Sequence, residues 1–303
     1  MIALNVFTCG LTSLMLVFFS LASVAQNGLS SSTQSSSATP FQSSPELASD
    51  WTKAYKSRVR IISGPTDFSV KDGSYAGIQM QMSKGWKTYW RSPGESGVPP
   101  SFDWSGSDNL KHISIQWPAP KKYKDEYSTS IGYKREVILP LKITATDASK
   151  PVKMKLRMGY GICADICVPV EKRLKLTIPP RQVGQNSLLS HYRQMVPKPV
   201  KTTGKVLNGF SFHKVSINLK GKKPNIIIEA SVPLDTKKAE LYVEASNGFY
   251  LPLPINERPS AGNQRRFIID LTKSDPPKDL VGRTLAFTLV GDKTGIEYTH
   301  KIN

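Results

Sequence analysis

Cysteine is scarce in this sequence, and its scarcity excludes one class of fold. The chain of 303 residues contains 3 cysteines, Cys9 near its start and the pair Cys163 and Cys167. A small secreted scaffold held by a framework of disulfides needs several pairs and is therefore excluded. No Ser-His-Asp set, phosphate-binding glycine loop or pair of catalytic carboxylates can be picked out either, so no common class of hydrolase or nucleotide-dependent enzyme is indicated.

Long hydrophobic runs are also missing, apart from one at the start of the chain. That run extends from Leu11 to Val24, is broken by serines and ends in Ser23-Val24-Ala25. It is shorter than the roughly 20 apolar residues of a membrane-spanning helix, and its small final residues suit signal peptidase. We predict a signal peptide over residues 1–25, cleaved near Ala25, and a periplasmic protein without Cys9. An uncleaved N-terminal anchor is the alternative.

Acidic residues are few relative to basic ones. The sequence has 41 Lys and Arg against 23 Asp and Glu, a net charge of +18. We nevertheless predict no nucleic-acid partner, because no nucleic-acid-binding module is present and export argues against one. Peripheral contact with an anionic membrane or with acidic proteins fits the charge better. The basic residues are spread over predicted strand faces and loops, among them Lys121, Lys122, Lys153, Lys155, Arg157, Lys172, Arg173, Lys175, Lys220, Lys222 and Lys223.

Strand-like patterns dominate the first half of the remaining chain. From Ser57 to about Pro179, apolar and polar residues alternate as in half-buried strands, most clearly over 152–160 and 174–178. Gly and Pro separate these segments, as expected for turns. The sequence therefore predicts an all-β protein whose first domain, residues 49–181, is a β-sandwich.

The rest of the chain divides into three further segments. Residues 26–48 are rich in Ser, Thr and Gln and predict a disordered tether. Residues 182–204 predict a helical connector, because Asn186 or Ser187 offers a cap before an apolar helix face that prolines end. Residues 205–303 alternate again between strand candidates and turn signals, and predict a second, smaller β-sandwich.

The cysteine pair lies between the two clearest strands, so it occupies the predicted turn of a hairpin. A continuous strand would separate the two Cα atoms by about 13 Å, whereas a disulfide needs less than about 7 Å. A tight turn through residues 164–166 brings Cys163 and Cys167 into range. The closed loop is short, so its entropic stabilisation is only about 2 kcal/mol. We favour a redox-active pair over a structural staple, since strained or exposed bonds of this kind exchange readily.

Half of a metal site is the third interpretation of the pair. Zinc needs four ligands, and no histidine lies near the two cysteines in sequence. Copper(I) accepts thiolate and thioether ligands, so nearby methionines are relevant. Those methionines all fall in strand-like segments, where core packing explains them better, and we predict no metal and no other cofactor. They are Met80, Met82, Met154 and Met158.

A series of motifs, taken in order, resembles a known family. The motifs are Gly85–Gly94 (GWKTYWRSPG), Pro100–Trp104 (PSFDW), Asp125–Tyr127 (DEY), Gly132–Tyr133 (GY), Val137–Pro140 (VILP) and Tyr160–Pro169 (YGICADICVP). Over residues 51 to 180 the sequence resembles the N-terminal periplasmic domain of the thiol:disulfide interchange protein DsbD, and more closely its ScsB-like relatives. The resemblance implies an immunoglobulin-like sandwich.

The same resemblance implies a role for the cysteines. In that family the pair takes electrons from a membrane-embedded thiol transducer and passes them to oxidised periplasmic partners, thioredoxin-like or disulfide isomerase proteins. The resemblance places this role of a protein-disulfide reductase component on Cys163 and Cys167. The resemblance does not show which cysteine attacks, but it implies that Cys167 is the outward cysteine of the pair.

A cap loop with an acidic and aromatic cluster covers the cysteine pair in the family. Asp125, Glu126 and Tyr127 match the position of that loop, and Tyr160 and Asp165 complete the predicted surroundings of the pair. Asp165 would oppose ionisation of a nearby thiol, although a turn residue is an equally good interpretation.

Two departures from the family pattern affect these expectations. The spacing between the cysteines is shorter, and the sequence lacks the membrane helices and the thioredoxin-like domain of full-length members. We therefore expect a separate membrane thiol reductase to supply the electrons. The alternative is a non-catalytic sandwich, partner-binding or associated with copper tolerance, in which the disulfide is structural.

Overall fold

The computed structural model describes residues 47–71, 73–126, 128–184, 186–257 and 262–303. The predicted signal peptide, all but the last two residues of the predicted tether, and Tyr127 lie outside these ranges. In the part of the chain that is described, no helix is long and apolar enough to cross a membrane.

The first half of the described chain is built from antiparallel strands. These strands are β1 (Thr52–Ala54), β2 (Ser57–Ser63), β3 (Thr66–Asp67), β4 (Tyr75–Met82), β5 (Lys87–Gly94), β6 (Ser101–Asp103), β7 (Leu110–Ile115), β8 (Lys121–Lys124), β9 (Thr129–Lys134), β10 (Glu136–Ala145), β11 (Val152–Cys163), β12 (Cys167–Ile178) and β13 (Arg181–Gln182). One sheet has the order β1-β2-β4-β10-β7, and the other has the order β12-β11-β5-β9-β8 with β6 beside β11. Strands β3 and β13 form a small separate pair.

The two main sheets bury their apolar faces against each other. In β11 the even-numbered residues from Val152 to Ile162 are buried, while Lys153, Lys155 and Arg157 are exposed. This period of two places one face of the strand in the core and the other in water. The predicted sandwich is confirmed. All four methionines considered as copper ligands also belong to this core, so packing accounts for them.

The predicted helix is present as α1 (Ser187–Gln194) and is packed on the first sandwich. The side chain of Asn186 caps it, accepting a hydrogen bond from the backbone N–H of Leu189 at 2.9 Å. Leu189 is 1% exposed and packs with Ile62 and Ile138 on the outer face of the β1-β2-β4-β10-β7 sheet. Gly77 permits this close approach, because a Cβ atom there would lie 2.6 Å from Ile138 and 3.0 Å from Leu189.

The second half of the described chain forms another, smaller sandwich, as predicted. Its strands are β14 (Lys198–Val200), β15 (Ser211–Asn218), β16 (Asn225–Ser231), β17 (Glu240–Ala245), β18 (Ile255–Asn256), β19 (Gln264–Asp270), β20 (Thr284–Val290) and β21 (Gly295–Lys301). They form two sheets, β14-β21-β20-β17 and β15-β16-β19-β18. Single 3-10 turns occupy Ser246–Gly248, Leu271–Lys273 and Pro277–Leu280.

Two segment boundaries differ slightly from the predicted ones. Ala48 already forms an isolated bridge with Ile62, so the last residues of the predicted tether pair with the first sandwich. Strand β14, inside the predicted connector, pairs in parallel with β21 of the second sandwich. Both segments are short and lack an alternating pattern, so they carry no sequence signal of strand pairing.

The two sandwiches share a polar and aromatic interface. Arg91 of β5 forms ion pairs with Glu244, at 2.7 Å, and with Glu297. The rings of Trp90 and Tyr242 lie 5.4 Å apart between their centroids. Strand β5 therefore connects the first sandwich directly to the second.

Candidate functional site

The two cysteines close a long, regular hairpin. Strands β11 and β12 pair residue for residue, from Val152 opposite Ile178 to Cys163 opposite Cys167. The backbone N–H of Ala164 donates to the carbonyl of Ile166 at 3.0 Å and tightens the turn. The two Cα atoms are 4.2 Å apart, and a disulfide joins the side chains. The predicted reversal of the chain between the cysteines is confirmed.

The two sulfur-bearing residues differ sharply in accessibility. Cys163 is 0% exposed, whereas Cys167 belongs to the exposed residues of the turn. Thiol-disulfide exchange requires an incoming sulfur to reach one of the two bonded sulfurs. Only the Cys167 side of the bond offers that approach.

The side chain of Tyr89 in β5 contacts the accessible cysteine. Its hydroxyl oxygen lies 3.0 Å from Sγ of Cys167. Burial raises the pKa of the Tyr89 phenol, and the nearby carboxylate of Asp125 raises it further. The phenol therefore stays protonated at neutral pH and has a proton to donate to sulfur. Tyr89 was not among the predicted site residues, so the sequence analysis missed this contact.

Lys87 brings a buried positive charge next to the same hairpin turn. It is the backbone partner of Cys163 in the pairing of β5 with β11, and it is 8% exposed. Its ammonium group donates to Oγ of Ser130 at 2.8 Å and lies 3.7 Å from a carboxylate oxygen of Asp125. A buried ammonium needs such partners, since its desolvation is costly. Lys87 was not among the predicted site residues.

The predicted cap loop reaches the site through Asp125. Its carboxylate accepts from the backbone N–H of Ser128 at 2.8 Å and is close enough to Tyr89 to affect that phenol's pKa. Glu126 is exposed at the tip of the loop. Tyr127, the aromatic member of the predicted cluster, lies outside the described residues. The structure thus brings one of the three predicted cap residues into the polar network of the site.

The other two predicted neighbours lie outside this polar network, although Tyr160 lines a groove together with both cysteines. Tyr160 is 3% exposed in the sandwich core, and its hydroxyl pairs with Oγ of Ser57 at 2.9 Å. Burial raises the pKa of Tyr160, and the Ser57 hydrogen bond opposes that shift. Asp165 is exposed in the turn between the cysteines.

A groove of about 590 Å³ is lined by both cysteines and by neighbouring residues of β11 and β12. Val98 and Pro99 also line it. Gly159 and Gly161 are also part of the lining. A Cβ atom at Gly161 would lie 3.1 Å from the Tyr89 ring, so glycine lets this ring pack closely against β11 beside the groove.

Among the described residues, no group of three or more His, Cys, Asp or Glu side chains is placed to hold a metal ion.

Comparison with known proteins relates this fold and site to a family. The structure defines a class of domain, an all-β sandwich with a disulfide at the turn of an edge hairpin. Residues 58–179 match the family model described as thiol:disulfide interchange protein DsbD, N-terminal. The first sandwich therefore matches the N-terminal domain family of DsbD, and it has that family's immunoglobulin-like fold.

A solved structure extends the likeness of fold to both sandwiches. The N-terminal periplasmic domain of ScsB from Proteus mirabilis superposes with a TM-score of 0.62 at 20% sequence identity. The match covers 85% of this chain and 99% of that chain. Both proteins therefore share an architecture of two successive sandwiches. In the comparison with curated proteins, no protein matches this chain.

Proposed function

We propose that this protein is a periplasmic thiol:disulfide exchange module that passes electrons between a membrane thiol transducer and periplasmic partner proteins. Cys163 and Cys167 carry the electrons. The observation that supports this proposal best is the asymmetry of the disulfide, with Cys167 exposed and Cys163 buried. The match of residues 58–179 to the DsbD N-terminal family model supports the reaction, and the likeness to a periplasmic domain supports the compartment.

Reduction of the module begins at the exposed sulfur. A thiolate of the electron donor attacks Sγ of Cys167, the disulfide breaks, and its electron pair leaves on Sγ of Cys163. A second thiolate of the donor then displaces Cys167 from the mixed disulfide. The donor leaves as a disulfide, and both cysteines of the module are reduced.

Transfer to the acceptor follows the same chemistry in the opposite sense. The thiolate of Cys167 attacks a disulfide of the periplasmic partner and forms a mixed disulfide, while one partner sulfur leaves as a thiolate. The thiolate of Cys163 then attacks Sγ of Cys167, re-forms the internal disulfide and releases the second partner sulfur. Two electrons have passed to the partner, which departs as a dithiol.

Tyr89 favours the reactive state of Cys167 in this scheme. A thiolate accepts a hydrogen bond much more strongly than a disulfide sulfur does, because hydrogen bonds to ionised groups are the stronger ones. The protonated phenol of Tyr89 therefore stabilises the reduced, ionised form of Cys167.

The redox potential of the purified protein tests the proposal. After equilibration in glutathione or dithiothreitol buffers, thiol labelling gives the reduced fraction. We expect a midpoint in the range of exchange proteins, about −120 to −270 mV, whereas a value below about −300 mV would mark an inert structural bond and refute the proposal.

Trapping distinguishes the two cysteines. The Cys163→Ala variant lacks the resolving thiol, so it should accumulate mixed disulfides through Cys167 with periplasmic thioredoxin-like proteins. The Cys167→Ala variant is the matched control, because its remaining thiol is buried and should trap much less.

A further inference from the structure

The outer face of the hairpin pairs like charges across its two strands. Lys155 of β11 lies opposite Lys175 of β12, and Arg157 lies opposite Arg173. All four side chains are exposed. We call these four residues the cationic strip. Like charges directly opposite each other destabilise an antiparallel pair, so stability alone does not account for the strip.

Most of the strip is without acidic partners. Arg157 forms an ion pair with Asp103 at 3.2 Å, and the neighbouring Lys153 forms one with Asp108 at 3.4 Å. For Lys155, Arg173 and Lys175, the described residues include no carboxylate within ion-pair distance. Strand β12 has one acidic residue on this face, Glu171, which lies between Arg173 and the disulfide. Three cations are therefore free to meet an external acidic group.

The strip and the disulfide lie on the same face of the sheet. Alternate residues of a strand share a face, so Lys155 and Arg157 are on the side of Cys163, and Arg173 and Lys175 are on the side of Cys167. At about 3.3 Å per residue, Arg173 lies roughly 20 Å and Lys175 roughly 26 Å from Cys167 along β12. The groove with its glycine lining lies between them. A protein that docks on Cys167 and along the groove comes within reach of the strip.

We propose that the cationic strip docks the redox partner of this module, a protein with an acidic patch beside its reactive disulfide or dithiol. The proposal rests on the proposed exchange function and names the chemistry of the partner surface. An anionic membrane would also bind cations, but a membrane on this face would cover Cys167 and block exchange. Complementary charge would instead bring an acidic protein to the accessible sulfur.

A triple variant removes the free charges of the strip, and a matched variant removes three charges elsewhere. The strip variant is Lys155→Gln, Arg173→Gln, Lys175→Gln. The control is Lys220→Gln, Lys222→Gln, Lys223→Gln, whose lysines are exposed in the β15–β16 loop of the second sandwich. The strip variant should melt at the same temperature as the parent or higher, because it removes cross-strand repulsion.

Synthetic peptides serve as probes for the unidentified partner. Each carries one cysteine activated as a mixed disulfide with 2-thiopyridine, a Gly-Ser spacer of six residues, and then four Glu or four Gln. Attack by Cys167 on the peptide sulfur expels pyridine-2-thione, which is followed by absorbance in a stopped-flow instrument. Cys163 then displaces the peptide as a free thiol.

The ratio of the two rate constants measures the effect of the strip. For the reduced parent protein at low salt, we expect the Glu peptide to react about ten times faster than the Gln peptide, or more. The control variant should keep this ratio. The strip variant should bring it close to one, and so should high salt acting on the parent, because salt screens exposed charges.

Other results would overturn the inference. An unchanged ratio in the strip variant, or an equal loss in the control variant, would show that the strip does not act as a specific site. Parent protein that binds phosphatidylglycerol vesicles through the strip, with no preference between the peptides, would assign the strip to a membrane. If reduced protein also fails to react with neutral 2,2′-dithiodipyridine, the proposed exchange function itself falls, together with the inference.

Discussion

The hydroxyl oxygen of Tyr89 lies 3.0 Å from Sγ of Cys167, although the two residues are 78 positions apart in the chain. Strand β5 brings the phenol to the hairpin turn, beside the sulfur that an incoming thiolate can reach. Because burial keeps the phenol protonated, this contact couples the fold of the sandwich to the ionisation of the reduced cysteine.

Replacing Tyr89 with Phe should raise the pKa of Cys167 in the reduced protein. A hydrogen bond to a charged group contributes about 1.5–3 kcal/mol, which corresponds to roughly one to two pKa units. The pH dependence of alkylation by iodoacetamide, in a Cys163→Ala background, measures this pKa. The matched control is Tyr123→Phe, a tyrosine of β8 for which no contact with the sulfurs is found. Equal pKa values in all three proteins would show that the Tyr89 contact is without effect.

Lys87 and Asp125 should shift the pKa of the same thiol in opposite directions. Lys87→Met removes a buried ammonium beside the hairpin turn, which should raise the thiol pKa, because a nearby positive charge favours the thiolate. Asp125→Asn should lower it, since it removes a negative charge. The thiol pKa of the double variant should fall between those of the two single variants. Alkylation rates measured against pH give the thiol pKa of all three variants. A Lys87→Met variant with normal folding and an unchanged thiol pKa would count against this role.

Arg91 should contribute strongly to the association of the two sandwiches. It lies between Glu244 and Glu297, and the three side chains are only 26%, 22% and 27% exposed. Arg91→Met leaves two carboxylates without their cation and should lower the free energy of unfolding by about 2–3 kcal/mol. This is less than the 3–5 kcal/mol lost when one partner of a fully buried ion pair is removed. Urea unfolding measures the change. The triple variant that adds Glu244→Gln and Glu297→Gln should recover most of the lost stability. If the three substitutions instead lower stability by the sum of their separate effects, the three side chains do not form a coupled network.

Asp147 should make a local contribution to acid stability that is independent of the redox site. Hydrogen bonds from Ser149 and Lys150 lower the pKa of its carboxyl to about 2 in the folded protein. A depressed folded-state pKa stabilises the protein above the unfolded value of about 3.9, and this contribution is lost as the pH falls toward 2. An NMR titration of the carboxyl carbon should give a midpoint near 2. Asp147→Asn should make the free energy of unfolding less dependent on pH over this acid range. A titration midpoint near 4 for Asp147 would contradict the assignment.

Local pattern was sufficient to predict the hairpin that carries the cysteines. Alternation on either side of the pair indicated two strands, and the distance limit of a disulfide required a reversal between them. Both expectations are confirmed, because strand alternation and a tight turn depend on neighbouring residues. The capped helix after Asn186 was predicted for the same reason.

Long-range contacts were beyond the reach of the sequence pattern. Lys87 and Tyr89 looked like residues of an ordinary strand, and nothing local shows that β5 lies next to β11. The pairing of Lys87 with Cys163, and hence the charge at the turn, depends on strand register across the sheet. The spacing of two residues between Lys87 and Tyr89 in a predicted strand was the one available hint that they share a face.

The sequence by itself determined the all-β class, the hairpin and the two cysteines that form the disulfide, because these follow from local periodicity and covalent reach. The family resemblance placed Cys167 outward, and the tertiary structure gave the reason, since burial of Cys163 depends on the strand packed beside it. It also decided that Tyr89 contacts Cys167 and that basic residues of β11 and β12 stand opposite one another. These features arise from sheet order and register, which depend on contacts between residues far apart in the chain.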